Sequence, residues 1–137
     1  MLWCQIIPFD DKSIHRWKFK VNDNKINLRI GIDEEKCKWI NRDFFRVSKE
    51  TINYAYWGEG IKYIEGVSQG IYGKEYRNND IIEMIFNSKT HQLSYIVNDQ
   101  DQGILYDHVK PKNYRMTVSF RVPDESLTLL KYNQIYE

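Results

Sequence analysis

The sequence predicts an all-β fold, two antiparallel sheets packed face to face as a sandwich. Three observations carry this expectation. Apolar and polar residues alternate in several segments, the mark of half-buried strands. Turn residues recur about every 8–12 residues, the spacing of short antiparallel strands. No run of roughly 10–15 residues with a helical apolar stripe stands between the strand-like segments, which argues against parallel crossover units.

The elements follow in order. In RWKFKV, Trp17, Phe19 and Val21 fall on one face and Lys18 and Lys20 on the other. After NDNK, Ile26, Leu28, Ile30 and Ile32 repeat the period with Asn27, Arg29 and Gly31 between them. Asn and Asp tolerate the left-handed backbone of a tight turn, so these two strands are expected to pair as a hairpin. The charged stretch DEEKCKWINRDFFRVSKET reads as a long surface connection with some exposed aromatics. INYAYWG reads as a strand halted by Gly58 and Gly60, IKYIEGV as a short strand, and SQGIYGKEYRNN as a glycine-punctuated loop. Ile81 to Phe86, Leu93 to Val97 and Gly103-Ile104-Leu105, joined by the polar turns Asn87 to Gln92 and Asn98 to Asp101, form a three-stranded meander. YRMTVSFRV alternates Met116, Val118 and Phe120 against Thr117, Ser119 and Arg121, and SLTLLKY supplies a closing strand.

A chain of 137 residues, 42% hydrophobic and 15% aromatic, has the size of one domain spanning 1–137 and the large side chains for its core. The net charge of +1 provides no overall field for a polyanion, so no nucleic-acid partner is expected. The charge is uneven along the chain: residues 1–49 hold 11 Lys/Arg against 7 Asp/Glu, and residues 50–137 hold 9 against 12. Cys4 and Cys37 lack CxxC spacing or a neighbouring His and read as free thiols of a reducing, cytoplasmic or similar intracellular compartment. Pro8, Asp10 and Asp11 cut the N-terminal apolar run short of a signal peptide, and no run approaches the ~20 residues of a spanning helix, so no membrane partner is expected.

Sites for chemistry are scarce. Gly73-Lys74 resembles half of a phosphate loop, but Glu75 stands where Ser or Thr must bind the metal. His15, His91 and His108 have no ligand spacing, so no metal is expected. No GxSxG elbow occurs, and Glu59 with Glu65 or Asp99 with Asp101 are loop acids of an ordinary kind. No catalytic residue and no cofactor is expected. In HRWKFK the aromatics face inward, which removes them from base stacking.

The segments HRWKFKV, LRIGI, YAYWGEGIKY, YGKEYRNNDIIEMIFNSKTHQLSYIVNDQDQGILY, YRMTVSFRV and SLTLL resemble, in sequence and spacing, the SPRY domain family, over residues 13–131. SPRY domains typically show Gly-Asp before an apolar strand, a polar turn, Leu-x-Phe, Asn-Gly and Gly-x-Ala-Phe. Here these positions read Asn79-Asp80, Leu93-Ser94-Tyr95, Asn98-Asp99 and Gly103-Ile104-Leu105-Tyr106. Asn79 and Asp99 replace glycines, and Asn and Asp are the best substitutes there. The resemblance implies a bent two-sheet sandwich of the concanavalin-like jelly-roll kind. It further implies a non-catalytic module that recognises a partner peptide or protein surface through loops at one edge, as an adaptor or a subunit of a larger assembly.

Interfaces favour Tyr, Trp, Phe and Arg on loops. Candidate contacts are Arg42, Phe44, Phe45 and Arg46 in the long connection, Tyr56, Trp57 and Tyr63 near the glycines, Tyr72 in the next loop, Asp99, Gln100 and Asp101 in a turn, and Arg121 at a strand end. The alternative is a lectin-like sandwich that binds glycans by aromatic stacking beside NDQD.

Overall fold

A computed structural model of the chain describes residues 2–7, 12–23, 28–34, 54–65, 67–119 and 126–136, of which 2–7, 119 and 136 are described by their backbone alone. The strands in chain order are β1 (Leu2–Ile7), β2 (Ser13–Asp23), β3 (Arg29–Glu34), β4 (Tyr54–Trp57), β5 (Ile61–Ile64), β6 (Val67–Ile71), β7 (Ile81–Asn87), β8 (Gln92–Val97), β9 (Gln100–Tyr106), β10 (Tyr114–Ser119) and β11 (Ser126–Tyr136). Among the described residues they form two antiparallel sheets, one of six strands in the order β1-β10-β3-β4-β5-β6 and one of five in the order β11-β2-β7-β8-β9. The all-β sandwich expected from the alternation is the observed architecture.

The period-two residues meet in the middle. Trp17, Phe19 and Val21 of β2, Ile82 and Met84 of β7, and Leu93, Tyr95 and Val97 of β8 are buried against Leu28, Ile30 and Ile32, Tyr54 and Tyr56 of β4, and Met116 and Val118 of β10. The meander β7-β8-β9 is present as expected, closed by a two-residue turn that places Val97 opposite Gln100. Both turn residues, Asn98 and Asp99, have positive φ (49° and 65°), as a type I′ hairpin requires.

Two expectations are corrected. The first is the β2–β3 hairpin: β2 pairs with β11 and β7, whereas β3 pairs with β10 and β4, so the strands belong to different sheets. In a hairpin their apolar rows would share one face of one sheet. Here the rows oppose each other across the interior, and period two is identical in both arrangements. The second is SQGI, the start of the segment read as a loop, which lies in β6. All five residues of this edge strand are exposed, so it has no buried face to impose alternation. The closing strand β11 also runs longer than SLTLLKY.

In the six-stranded sheet β3 and β4 approach closely at Gly31. A Cβ there would lie 2.0 Å from the carbonyl oxygen of Tyr54 and 2.8 Å from Cα of Ala55, both backbone atoms of the neighbouring strand. Neither can step aside without moving β4. Gly31→Ala is therefore expected to cost about 1–3 kcal/mol, the range of core overpacking, read as a lower urea midpoint at unchanged slope. An unchanged midpoint would contradict the close approach.

Candidate partner-binding site

Three turns, drawn from both sheets, converge at one end of the sandwich. The β4–β5 turn is anchored by Gly58, whose N–H donates to the Leu28 carbonyl at 2.8 Å. The N–H groups of Tyr72 and Gly73 both donate to the Gly60 carbonyl, at 2.7 and 3.2 Å, and that of Tyr76 donates to the Gly58 carbonyl at 3.1 Å. Gly60 has φ +89°, and a Cβ on it would come within 2.5 Å of the Gly73 carbonyl, so the connection 72–80 seats directly on the β4–β5 turn. The β8–β9 turn docks from the other sheet. Asp80 accepts from the Arg77 N–H at 2.7 Å and from Asn98 Nδ2 at 2.8 Å, while Asn98 Oδ1 accepts from the Ile81 N–H at 2.9 Å. Gln102 Oε1 accepts from the Lys74 N–H at 3.0 Å.

Beneath these turns lies a cluster of phenols. The ring of Tyr56 packs edge-on against those of Tyr72, Tyr76 and Tyr95, each with centroids 5.0 Å away. Tyr95 donates from β8 across the interior to the Ile30 carbonyl at 2.7 Å. The Tyr76 hydroxyl lies within hydrogen-bond distance of the Leu28 and Tyr56 carbonyls, at 2.8 and 2.7 Å, so its one proton is shared. Tyr56 donates to the Lys74 carbonyl, and Tyr72 to that of Gly103.

Burial, which strips water from a phenolate, pushes Tyr56, Tyr72, Tyr95 and Tyr114 above the ordinary value of 10.0. Asp80 adds repulsion at Tyr56; at Tyr72, Tyr56 and Asp101 do so. Because the folded values exceed the unfolded one, the stability these groups contribute is complete below that ordinary value and is lost as pH climbs beyond it. In an alkaline titration the tyrosinate absorbance of this group is expected to grow only together with loss of the circular dichroism signal. Smooth ionisation of all ten tyrosines ahead of unfolding would contradict their burial.

The candidate contacts separate into several groups. Tyr56 is fully buried, so it is corrected to a scaffold residue: its ring fills the space between the sheets. Tyr72 is half-buried and ties the 72–80 connection to β9. Trp57 and Tyr63 are half-buried on the outer face of the six-stranded sheet, stacked at 4.0 Å. The Arg29 guanidinium lies 3.6 Å from the Trp57 ring centre, so Arg29 and Tyr63 take opposite faces of the indole. With both faces covered, Trp57 offers no platform for a sugar. Asp99, Gln100 and Asp101 are exposed at the rim of the turn cluster, although Asp101 also accepts from the Gly103 N–H at 2.7 Å. Arg42, Phe44, Phe45, Arg46 and Arg121 lie outside the described residues.

Several exposed side chains at this end escaped the sequence reading: Lys74, Glu75 and Arg77, with an Arg77–Glu75 ion pair of 2.9 Å, and Ile71, 86% exposed beside them in the chain. Their only signal was position, directly after the glycines at 70 and 73. Among the described residues no group of three or more His, Cys, Asp or Glu could hold a metal ion, and no helix is long and apolar enough to cross a membrane.

No family model and no curated protein matches this sequence. Among solved structures the chain is similar to the SPRY domain of human HERC1, at 14% identity and a TM-score of 0.67, with 92% of each chain covered. It is similar also to a human SPRY domain, at 14% identity and a TM-score of 0.65, covering 93% of this chain and 83% of that one. The fold is that of a SPRY domain.

The two SPRY glycine positions now have a physical meaning. Asn79 and Asp99, which stand there, both have positive φ (72° and 65°), the conformation glycine adopts freely. In this SPRY fold Asp99→Gly is expected to raise stability by about 1 kcal/mol, by relief of the left-handed strain on a residue with a Cβ. A lower melting temperature would mean that the carboxylate holds the turn.

Proposed function

We propose that this chain is a non-catalytic protein-recognition module that binds a partner peptide or protein surface through the turn cluster at one end of its sandwich, as an adaptor or a subunit of a larger assembly. The observation that carries the proposal is the locking of three turns from two sheets into one surface by backbone and tyrosine hydrogen bonds. A surface fixed before binding loses little conformational entropy on association, and exposed loop residues on a rigid scaffold are a general means of recognition. Lys74, Glu75, Arg77 and Asp99 give that surface charges of both signs and Gln100 a neutral amide, suited to a polar partner and to selection against wrong ones. The likeness to SPRY domains supports the same reading.

The test is affinity purification of the tagged chain from native extract, beside an Arg77→Glu/Asp99→Asn/Gln100→Ala variant of unchanged circular dichroism. A defined protein partner is expected with the parent and not with the variant. Retention of that partner by the variant would remove the turn cluster from the reading. Retention on glycan beads without a protein partner would replace the reading by a lectin.

A further inference from the structure

The outer face of the five-stranded sheet carries a second surface, distinct from the turn cluster. Arg16, Lys18 and Lys20 alternate along β2 with buried residues and so share this face. On β11, Lys131 stands directly opposite Lys18; on β7, Glu83 stands opposite Lys18 from the other side. Arg16 takes the carboxylate: its Nε and Nη2 both lie 2.6 Å from Glu83 Oε1. Lys18 and Lys131 are left facing each other, with no acidic partner for either among the described residues. Like charges directly opposite each other destabilise an antiparallel pair, so this arrangement is a cost to the isolated fold.

These side chains line a recess of about 290 Å³, bounded by Arg16, Lys18, Glu83, Lys131, Asn133 and Ile135. Three cations against one carboxylate concentrate positive charge here, in a chain whose net charge is only +1. We propose that the recess binds an extended acidic segment of a partner protein, with carboxylates at alternate positions. The spacing supports this occupant. Alternate residues of an extended chain repeat every ~6.6–6.8 Å, the same interval as Arg16 and Lys18 in the recess, with Lys20 next in the row beyond it. Asn133 supplies an amide for the peptide backbone, and Ile135, 39% exposed, an apolar contact at the end of the recess. A nucleic acid fits less well: Trp17 and Phe19 are fully buried and cannot stack on bases.

The probe is a fluorescein-labelled peptide of alternating Glu and Ser, compared by anisotropy with its Gln-for-Glu counterpart and with a labelled single-stranded oligonucleotide, all on the full chain. The acidic peptide is expected to bind, to weaken with salt, and to lose roughly tenfold or more in affinity with either Lys18→Glu or Lys131→Glu. Lys131→Glu turns the like-charged pair into an opposite-charged one, so its melting temperature should hold or rise, which separates lost binding from lost fold; Lys18→Glu also sets two carboxylates opposite each other across β2 and β7, so its affinity is read only at unchanged circular dichroism. The turn-cluster variant should bind the peptide as the parent does, so failure here leaves the proposed function standing. Equal binding of the Gln peptide, unchanged affinity in both Lys variants, or an oligonucleotide bound as tightly as the acidic peptide would each overturn the proposal.

Discussion

The buried phenols constrain everything around them. A tyrosine ring is large and apolar enough to fill the space between two sheets, but its hydroxyl must meet an acceptor, or folding forfeits about 1–3 kcal/mol for each one left unmet. Tyr95 meets this demand by reaching from one sheet to the Ile30 carbonyl of the other, and Tyr76 by reaching the carbonyls of Leu28 and Tyr56. Each such bond sets the distance between the groups it joins. Sheet separation and the seat of the 72–80 connection are thereby fixed by the same set of rings.

That coupling links core to surface. Tyr76 belongs to the connection, not to a strand, yet it is fully buried, and Tyr56 below it donates back to the Lys74 carbonyl. Lifting the connection would withdraw Tyr76 from the core and break hydrogen bonds at both Gly58 and Gly60. The turns at this end are therefore extensions of the packed interior. Their side chains can recognise a partner without first being ordered by it, which is where a preformed surface gains over a flexible loop.

The sequence makes some of this legible and hides the rest for physical reasons. Alternation exposed the buried faces of β2 and β10, because Trp17 and Phe19 in one and Met116 and Val118 in the other must point inward together. Asn98-Asp99 marked a hairpin because few other residues tolerate positive φ at successive positions. Alternation says nothing about which sheet a strand joins, so β2 and β3 looked like neighbours. It is silent on β6, exposed along its whole length. Tyr56 and Trp57 are adjacent and chemically alike, and only the pleat separates them: one points into the phenol cluster, the other out to Arg29. The basic recess was half visible, since Arg16, Lys18 and Lys20 share a face by period alone, but the opposition of Lys131 depends on a strand more than a hundred residues later.

The same separation of roles explains how a chain only 14% identical to two solved SPRY domains shares their fold. The geometry depends on features that many sequences satisfy: an apolar residue at every second position, a phenol aimed at a carbonyl, a residue tolerant of positive φ at a turn. Asn79 and Asp99 meet the last requirement without being glycine. Apart from Asp99, whose backbone meets the turn requirement, the charges of the turn cluster and of the β2 face take no part in those requirements, since they stand on exposed or half-exposed sides of elements that the interior already holds in place. Substitutions there change the charge of the surface and leave intact the interior that holds these elements in place.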